Sequence, residues 1–379
     1  MRRGRVSTSP RTERPNLYQL NSATINIDWR RTVTDYFSYL GLQPSREELI
    51  QRFGLELDKL MTLDLNLTGR PSYLYSRERN GSGEASSTAF AQLLLDSLAS
   101  KDVSILVTGW PVRSSIDVSI GEADGPIGAA AIARALHMTT GAVSLAMAPA
   151  PLAAQVAAAF RSAGATIIDF DAFERLSKGN ERLFGVAIVG LDVDCDLSNY
   201  FAELLQNVKP KTVIAIEHYG FSAEGKPYHG TGNVVEPGTA LTHPLFDQAM
   251  AEGLICGSCV DNPNEVGTSR LHDAGVKHPP MRNDFANLLV GSSANSAAFA
   301  LCAALAGLSA TPTAAFPGSL DEAGIAATLA HGAIDPFSGT ADPSFGVDTI
   351  ESPYHAWIAD LMGRLAKGYC VAAATERHL

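Results

Sequence analysis

From about residue 101 the chain repeats one pattern: a short run suited to a β-strand, a turn, and an apolar stretch of helical length. Residues 103–108, 142–146, 166–170, 183–190 and 213–217 are the β-suited runs, with helical stretches such as 127–136 and 152–163 between them. A helix between two strands carries the chain back to the starting edge, so such strands pair in parallel. The expected fold is therefore α/β, a mainly parallel sheet covered by helices, with an N-terminal helical extension. Residues 1–30 read as an irregular tail, 31–100 as a helical segment and 101–379 as the α/β catalytic domain. Val33, Tyr36, Phe37 and Leu40, then Leu49, Phe53, Leu57 and Leu60, supply the helical spacing of that segment. Ser45 with Glu48 makes a capping box. The polar stretch 76–86 reads as a mobile connection, and the Ala-rich stretches 146–160 and 294–310 as buried helices.

In an open parallel sheet, ligands bind beyond the carboxyl ends of the strands. Gly109, the run Gly121-Glu122-Ala123-Asp124-Gly125-Pro126, and Glu217 all fall at or after a strand end. Gly125-Pro126 suits a helix start, where carboxylates meet unpaired N–H groups, so Glu122 and Asp124 are either caps or part of a site. A second run, Asp261-Asn262-Pro263-Asn264-Glu265-Val266-Gly267, holds Asp261, Asn264 and Glu265 within five positions of one turn. Turns favour such residues in any case. A third acidic region, Asp335-Pro336-Phe337-Ser338-Gly339 followed by Val347-Asp348, makes a shared acidic rim the stronger reading.

Taken in order, Thr108-Gly109, Gly121-Glu122-x-Asp124-Gly125-Pro126-x-Gly128-Ala129, Ile216-Glu217, Ala223-x-Gly225, Asp261-x-x-Asn264-Glu265-Val266-Gly267, Asp335 with Ser338-Gly339, and Val347-Asp348 resemble the D-glutamate cyclase C-terminal family over roughly residues 100–360. The chain departs from that pattern in three places. Asn262 and Pro263 replace two glycines, His218, Tyr219, Phe221 and Ser222 follow Glu217 where the family carries an Arg and an Asn, and Thr349 stands where a glycine is expected. The resemblance implies a carbon–oxygen lyase that interconverts D-glutamate and 5-oxo-D-proline with loss of water, in amino-acid metabolism. It also locates the site, with Glu122, Asp124, Glu265 and Asp335 catalytic and Gly109, Gly125, Glu217, Asn264, Ser338 and Asp348 binding substrate.

Ligand type alone points to a hard divalent cation, Mn²⁺ or Mg²⁺, on Glu122, Asp124, Asp261, Glu265 and Asp335, with a spare carboxylate as base. The same oxygen-rich rim would suit a Mn/Mg-dependent hydrolase of phosphatase or amidase type, or a small-ligand binding protein that has kept a degenerate site. No Walker-type loop calls for a nucleotide cofactor, and no Ser-His-Asp order or nucleophile elbow is evident. Tyr228, His229, Thr231 and Asn233, in the long loop after Glu217, are either substrate contacts or surface polar groups.

Composition bounds the partners. A formal net charge of −11 argues against nucleic acid, which needs clustered Lys and Arg, and no apolar run approaches the roughly 20 residues of a membrane span. The partner expected is a small molecule, an amino acid or its lactam, and the apolar Ala-rich helices are compatible with a homo-oligomer. Five cysteines, an odd number, suit a reducing compartment, and the expected location is cytoplasmic. The Arg-rich start reads as a loose tail or, alternatively, a transit segment. Cys256 and Cys259 have the spacing of half a zinc site, which His272 and His278 would complete; the alternative is two buried thiols. His331 and His355, near the C-terminal acids, are proton carriers or ordinary structural residues.

Overall fold

The computed structural model describes residues 44–376 apart from 80, 236 and 237. The tail expected over 1–30 and the helical spacing of Val33, Tyr36, Phe37 and Leu40 lie outside the described residues. The strands are β1 (Val103–Thr108), β2 (Gly121–Glu122), β3 (Val143–Pro149), β4 (Thr166–Ile168), β5 (Gly185–Leu191), β6 (Thr212–Ile216), β7 (Ile255–Val260), β8 (Asn287–Val290) and β9 (Ala333–Ile334). Seven of them form one parallel sheet in the order β4-β5-β3-β1-β6-β7-β8, and β2 pairs with β9 alone. From β1 the chain lays β3 beside it, moves out to the edge strand β4, inserts β5 between β3 and β4, and returns to lay β6 on the other side of β1. The reversal makes the gap between β1 and β6 a topological switch point, where the carboxyl ends of strands open a crevice.

Side-chain alternation divides the core in two. On β1, Val103, Ile105 and Val107 pack with Phe173, Phe201 and Phe246, under α6 (Phe170–Lys178), α7 (Ser198–Val208) and α8 (His243–Ala251). Leu106 faces the opposite layer, which holds α4 (Pro126–Thr139), α5 (Ala153–Ser162), α9 (Ala294–Leu308), α10 (Gly318–Leu329) and α11 (Ser352–Glu376). Residues 294–307 of α9 are all buried, and its alanines let neighbouring helices close in from every side. The N-terminal helices α1 (Arg46–Met61) and α3 (Ser86–Ser97) join this same layer through Phe53, Leu57, Met61, Phe90 and Leu94. Full burial of each such side chain contributes about 1.5–3 kcal/mol. Ser45 and Glu48 form the expected capping box of α1. Between α1 and α3, α2 (Arg70–Arg79) sets Leu74 against Leu288 and Val290 of β8.

Several boundaries differ from the sequence reading for local reasons. Pro149 and Pro151 divide the 146–160 stretch into the end of β3 and the start of α5, so it is not one helix. Residues 76–79 continue α2, held by Arg79 against buried Asp58, rather than joining a loop. Asp169 ends β4 early by accepting the Ala172 N–H at 2.7 Å and capping α6. The short strand β8 was not anticipated. Cys256 and Cys259 point to opposite faces of β7, Cys256 among Val213 and Phe246 and Cys259 among Ile214 and Ile216, so they cannot close on one zinc ion. No helix among the described residues is long and apolar enough to cross a membrane.

Candidate active site

Strand register brings the carboxylates together. Thr108 pairs with Ile216, and Ile216 with Cys259, so Gly109, Glu217 and Val260 end the central strands in one row, with Asp261 a step beyond. Glu217 leaves β6 at φ 44°, in the left-handed region, a strain of about 1–3 kcal/mol that marks functional turns. Gly125 stands directly behind it at φ 89°, and a Cβ there would lie 2.7 Å from the Glu217 Cβ and 2.8 Å from the Ile216 carbonyl. Only glycine allows the loop before α4 to press this closely on the strand end.

Glu217, Asp261 and Glu265 offer carboxylate oxygens that lie within 4.8 Å of one another, all buried. Glu265 Oε1 accepts the N–H groups of Asp261 and Asn262 at 2.8 Å each, which fixes its orientation, while its Oε2 is buried without a hydrogen-bond partner. Glu217 Oε2 is left the same way. Arg70, from the start of α2, donates to Asp261 Oδ2 at 2.6 Å and to Asn262 Oδ1 at 3.0 Å. Asn262, one of the departures from the family pattern, therefore helps seat the cation that faces Asp261. The Asp261 charge in turn holds the Arg70 pKa above its ordinary value.

Glu122 at the end of β2 and Asp348 complete the cluster. Burial first, then the neighbouring carboxylates, push Glu122, Glu217, Glu265 and Asp348 well above the usual carboxylate range: Asp124 acts on Glu122, Glu265 on Glu217, and Asp261 on Glu265 and Asp348. Glu122 lies against Glu217, and Asp348 against Asp261, carboxyl groups close enough to act on one another.

Asp124 sits one layer back. Its oxygens accept the Ala294 N–H at 2.7 Å and the Asn295 N–H at 2.8 Å, so it caps α9 and not α4, the helix it precedes. Asn295 returns the contact, its Oδ1 accepting from Gly125 at 3.0 Å and Gly128 at 2.7 Å at the start of α4. Two helix N-termini thus exchange caps across the layer. Burial and the Asp261 charge raise the Asp124 pKa to about 7, against the pull of its backbone donors.

Asp335 is likewise committed to backbone, accepting from Ser338 N at 2.6 Å and Thr349 N at 3.2 Å. It ties together the two C-terminal turns that carry Asp348. Thr349 takes the left-handed conformation expected of a glycine, at φ 64°, and its hydroxyl accepts from Asn66 at 2.7 Å. The Ser338 hydroxyl is engaged with Thr340 at 3.0 Å, and Gly109, at φ 96°, backs onto Pro149 and Leu152.

The front of the site is a cavity of about 560 Å³ whose lining includes Glu122, Glu217, Asn264 and Asp348. The same lining includes Arg70, Trp110, Arg113 and Phe337, four residues not singled out from the sequence. Trp110 and Arg113 follow the β1 end and would have been reached by the strand-end rule that found Gly109; Arg70 lies 191 residues from Asp261 and gives no local signal. His229 and Thr231 of the long loop reach the cavity, whereas Asn233 bonds to Thr231 at 3.4 Å and Tyr228 contributes its backbone carbonyl to Asn264 at 2.8 Å. His218 is buried against Thr242, and burial lowers its pKa to about 3, leaving it neutral. His331 is exposed and bonded to Ala327, while His355 is buried and contacts Asp321 and Ser293.

An acidic cleft lined also by two guanidinium groups lies at the switch point of a parallel sheet, the place where α/β folds carry their sites. The sequence places the protein more closely: the chain belongs to the D-glutamate cyclase-like family, its residues 69–362 matching the family described as D-glutamate cyclase-like, C-terminal. No curated protein matches the chain.

Proposed function

We propose that this site interconverts D-glutamate and 5-oxo-D-proline. The family supports the reaction class, and the observation that carries the reading is the cluster of buried carboxyl groups with raised pKa facing one cavity. In cyclisation the amine nitrogen bonds to the carbonyl carbon of the γ-carboxyl group, and one oxygen of that group departs as water. The ammonium gives up two protons and the departing oxygen gains two. Carboxyl groups whose pKa is raised by burial and by their acidic neighbours take up a proton more readily than ordinary carboxylates, so they can accept the first and return the second.

Glu122 and Glu217, which both line the cavity, are the proton carriers. Arg70 and Arg113 bind the substrate α-carboxylate at the mouth, and the carboxylates beneath bind the ammonium. Trp110 and Phe337 cover the apolar methylenes and exclude water.

The buried, unpartnered oxygens of Glu217 and Glu265, beside Asp261, fit a hard divalent cation such as Mn²⁺ or Mg²⁺. When bound it would supply Lewis-acid polarisation of the γ-carboxyl group. This set replaces part of the ligand set expected from sequence, since Asp124 and Asp335 spend their oxygens on backbone N–H groups.

A proton NMR time course with D-glutamate and with 5-oxo-D-proline, each with Mn²⁺ or with chelator, tests the reading. Interconversion in the Mn²⁺ arm and its loss with chelator is the expected result. Interconversion indifferent to chelator removes the cation, and none in any arm overturns the cyclase reading in favour of hydrolysis or ligand binding alone.

A further inference from the structure

Behind Asp124 lies an arrangement that no part of the proposed chemistry uses. Asp321 on α10, His355 on α11 and Ser293 at the start of α9 are each 0% exposed. His355 Nδ1 is 2.7 Å from Asp321 Oδ2, and its Nε2 is 3.1 Å from Ser293 Oγ. This is the connectivity of a Ser-His-Asp triad, which was not legible in the sequence, but it is sealed from substrate. Its serine is already the N-cap of α9, accepting the Ser296 N–H at 3.0 Å. Phe299 packs edge-on against the imidazole at 5.4 Å and fixes its plane.

The two N–H groups that follow Ser293, those of Ala294 and Asn295, are the ones that hold Asp124. Two residues before Asp124 is Glu122, whose side chain faces the cavity. A continuous line of contacts therefore runs from Asp321 through His355 and the α9 N-terminus to the acidic rim. We propose that Asp321 and His355 form a buried ion pair that sets the position of the α9 N-terminus, and through it of Asp124 and Glu122, making His355 a positioning residue for the site.

A doubly protonated imidazole donates at both nitrogens, which suits the Asp321 carboxylate on one side and the Ser293 oxygen, already capping a helix, on the other. Burial works against that charge, but the charge and hydrogen bond of Asp321 together with the charge of Asp124 outweigh it, so the His355 pKa lies above its ordinary value. These two acids, from α10 and from the loop before α4, are the charged groups acting on the ring; α9 presents the Ser293 hydroxyl and Phe299. An imidazolium behind the helix N-terminus adds to the positive end of the α9 dipole that faces Asp124.

The test uses the full chain and two readouts that do not depend on turnover. Nitrogen-15 spectra of the histidine side chains, followed across a pH series, should show both His355 nitrogens still protonated at pH values where an ordinary imidazole has lost its proton. In the double variant Asp321→Asn/His355→Gln, which leaves no uncompensated charge, the amides of Ala294 and Asn295 should exchange with deuterium at least tenfold faster while those of β1 are unchanged. Ser293→Ala, which cuts the link without touching the pair, should give the same local increase. A neutral His355, or unaltered exchange at Ala294 and Asn295, overturns the proposal. For D-glutamate turnover, which rests on the cyclase reading, kcat of the double variant should fall at least tenfold with KM held within threefold; wild type that does not turn over D-glutamate removes that reading and leaves the spectroscopic and exchange results to decide this one.

Discussion

Asp58 and Glu265 are both withdrawn from solvent, at 1% and 0% exposure, yet their surroundings are opposite. Asp58 accepts from Tyr75 Oη at 2.6 Å, Ser86 N at 2.8 Å and Ser87 N at 3.2 Å, and Arg79 stands 3.6 Å away. Every oxygen has a donor and the charge has a counter-ion, so the carboxylate joins α1 to α2 and α3. Glu265 has donors on one oxygen only and shares its pocket with Glu217 and Asp261, and the Arg70 guanidinium that acts on it is already bonded to Asp261. A buried acid completed by protein is part of the scaffold; buried acids left incomplete together are poised for a cation, a proton or a substrate.

Neutralising the two acids separates these roles most sharply. Glu265→Gln keeps the oxygen that accepts from Asp261 and Asn262 and removes a crowded charge. Turnover of D-glutamate should fall by about 10²–10⁴-fold, with the melting temperature at pH 8 unchanged or raised. Asp58→Ala should do the reverse, costing about 3–5 kcal/mol in denaturant titration by leaving Arg79 without its buried partner, with kcat of the remaining folded protein retained. A Glu265→Gln enzyme of full activity, or an Asp58→Ala protein of full stability, would break the comparison.

Next in size is the pH dependence of stability. The raised carboxyl groups bind more protons folded than unfolded, so their stabilising contribution is complete below the ordinary carboxylate range near 4 and is lost as pH rises, through about 7 for Asp124 and through the raised pKa of each of Glu122, Glu217, Glu265 and Asp348. Thermal unfolding should therefore show a falling melting temperature between pH 5 and 8.5 in chelator, recovered by Mn²⁺ more fully at the alkaline end. Equal Mn²⁺ stabilisation at both ends would contradict the assignment. The smallest expected effect is at the mouth of the cavity, where Arg113→Met should raise KM for D-glutamate about tenfold, one lost charge-assisted contact, with kcat within threefold. An unchanged KM would place the substrate carboxylate elsewhere.

The comparison also explains what the sequence disclosed. The sheet was legible because its strands are buried on both faces and stand out as short apolar runs between Ala-rich helices, as at 103–108 and 213–217. The rim was legible because carboxylates in turns directly after such strands, Glu217 and Asp261, can point only toward the strand ends. What stayed hidden depends on distant contacts. Whether a carboxylate is completed by protein or left open is not a local property: Asp124 looks like a cap for α4 and caps α9, and Asp335 looks like a ligand and holds turns. Arg70 and the Asp321–His355–Ser293 line arise only when segments about 30 to 190 residues apart are brought together.

The central claim is that Glu217, Asp261 and Glu265 form one cation site, reached from the cavity through Glu217. Isothermal titration of Mn²⁺ into the wild-type chain, Glu217→Gln, Glu265→Gln and Asp58→Asn at pH 8 tests it most directly. The account predicts one Mn²⁺ per chain in the wild type, retained by Asp58→Asn and weakened at least tenfold in each of the other two. Equal binding in all four, or no binding to the wild type, would contradict it.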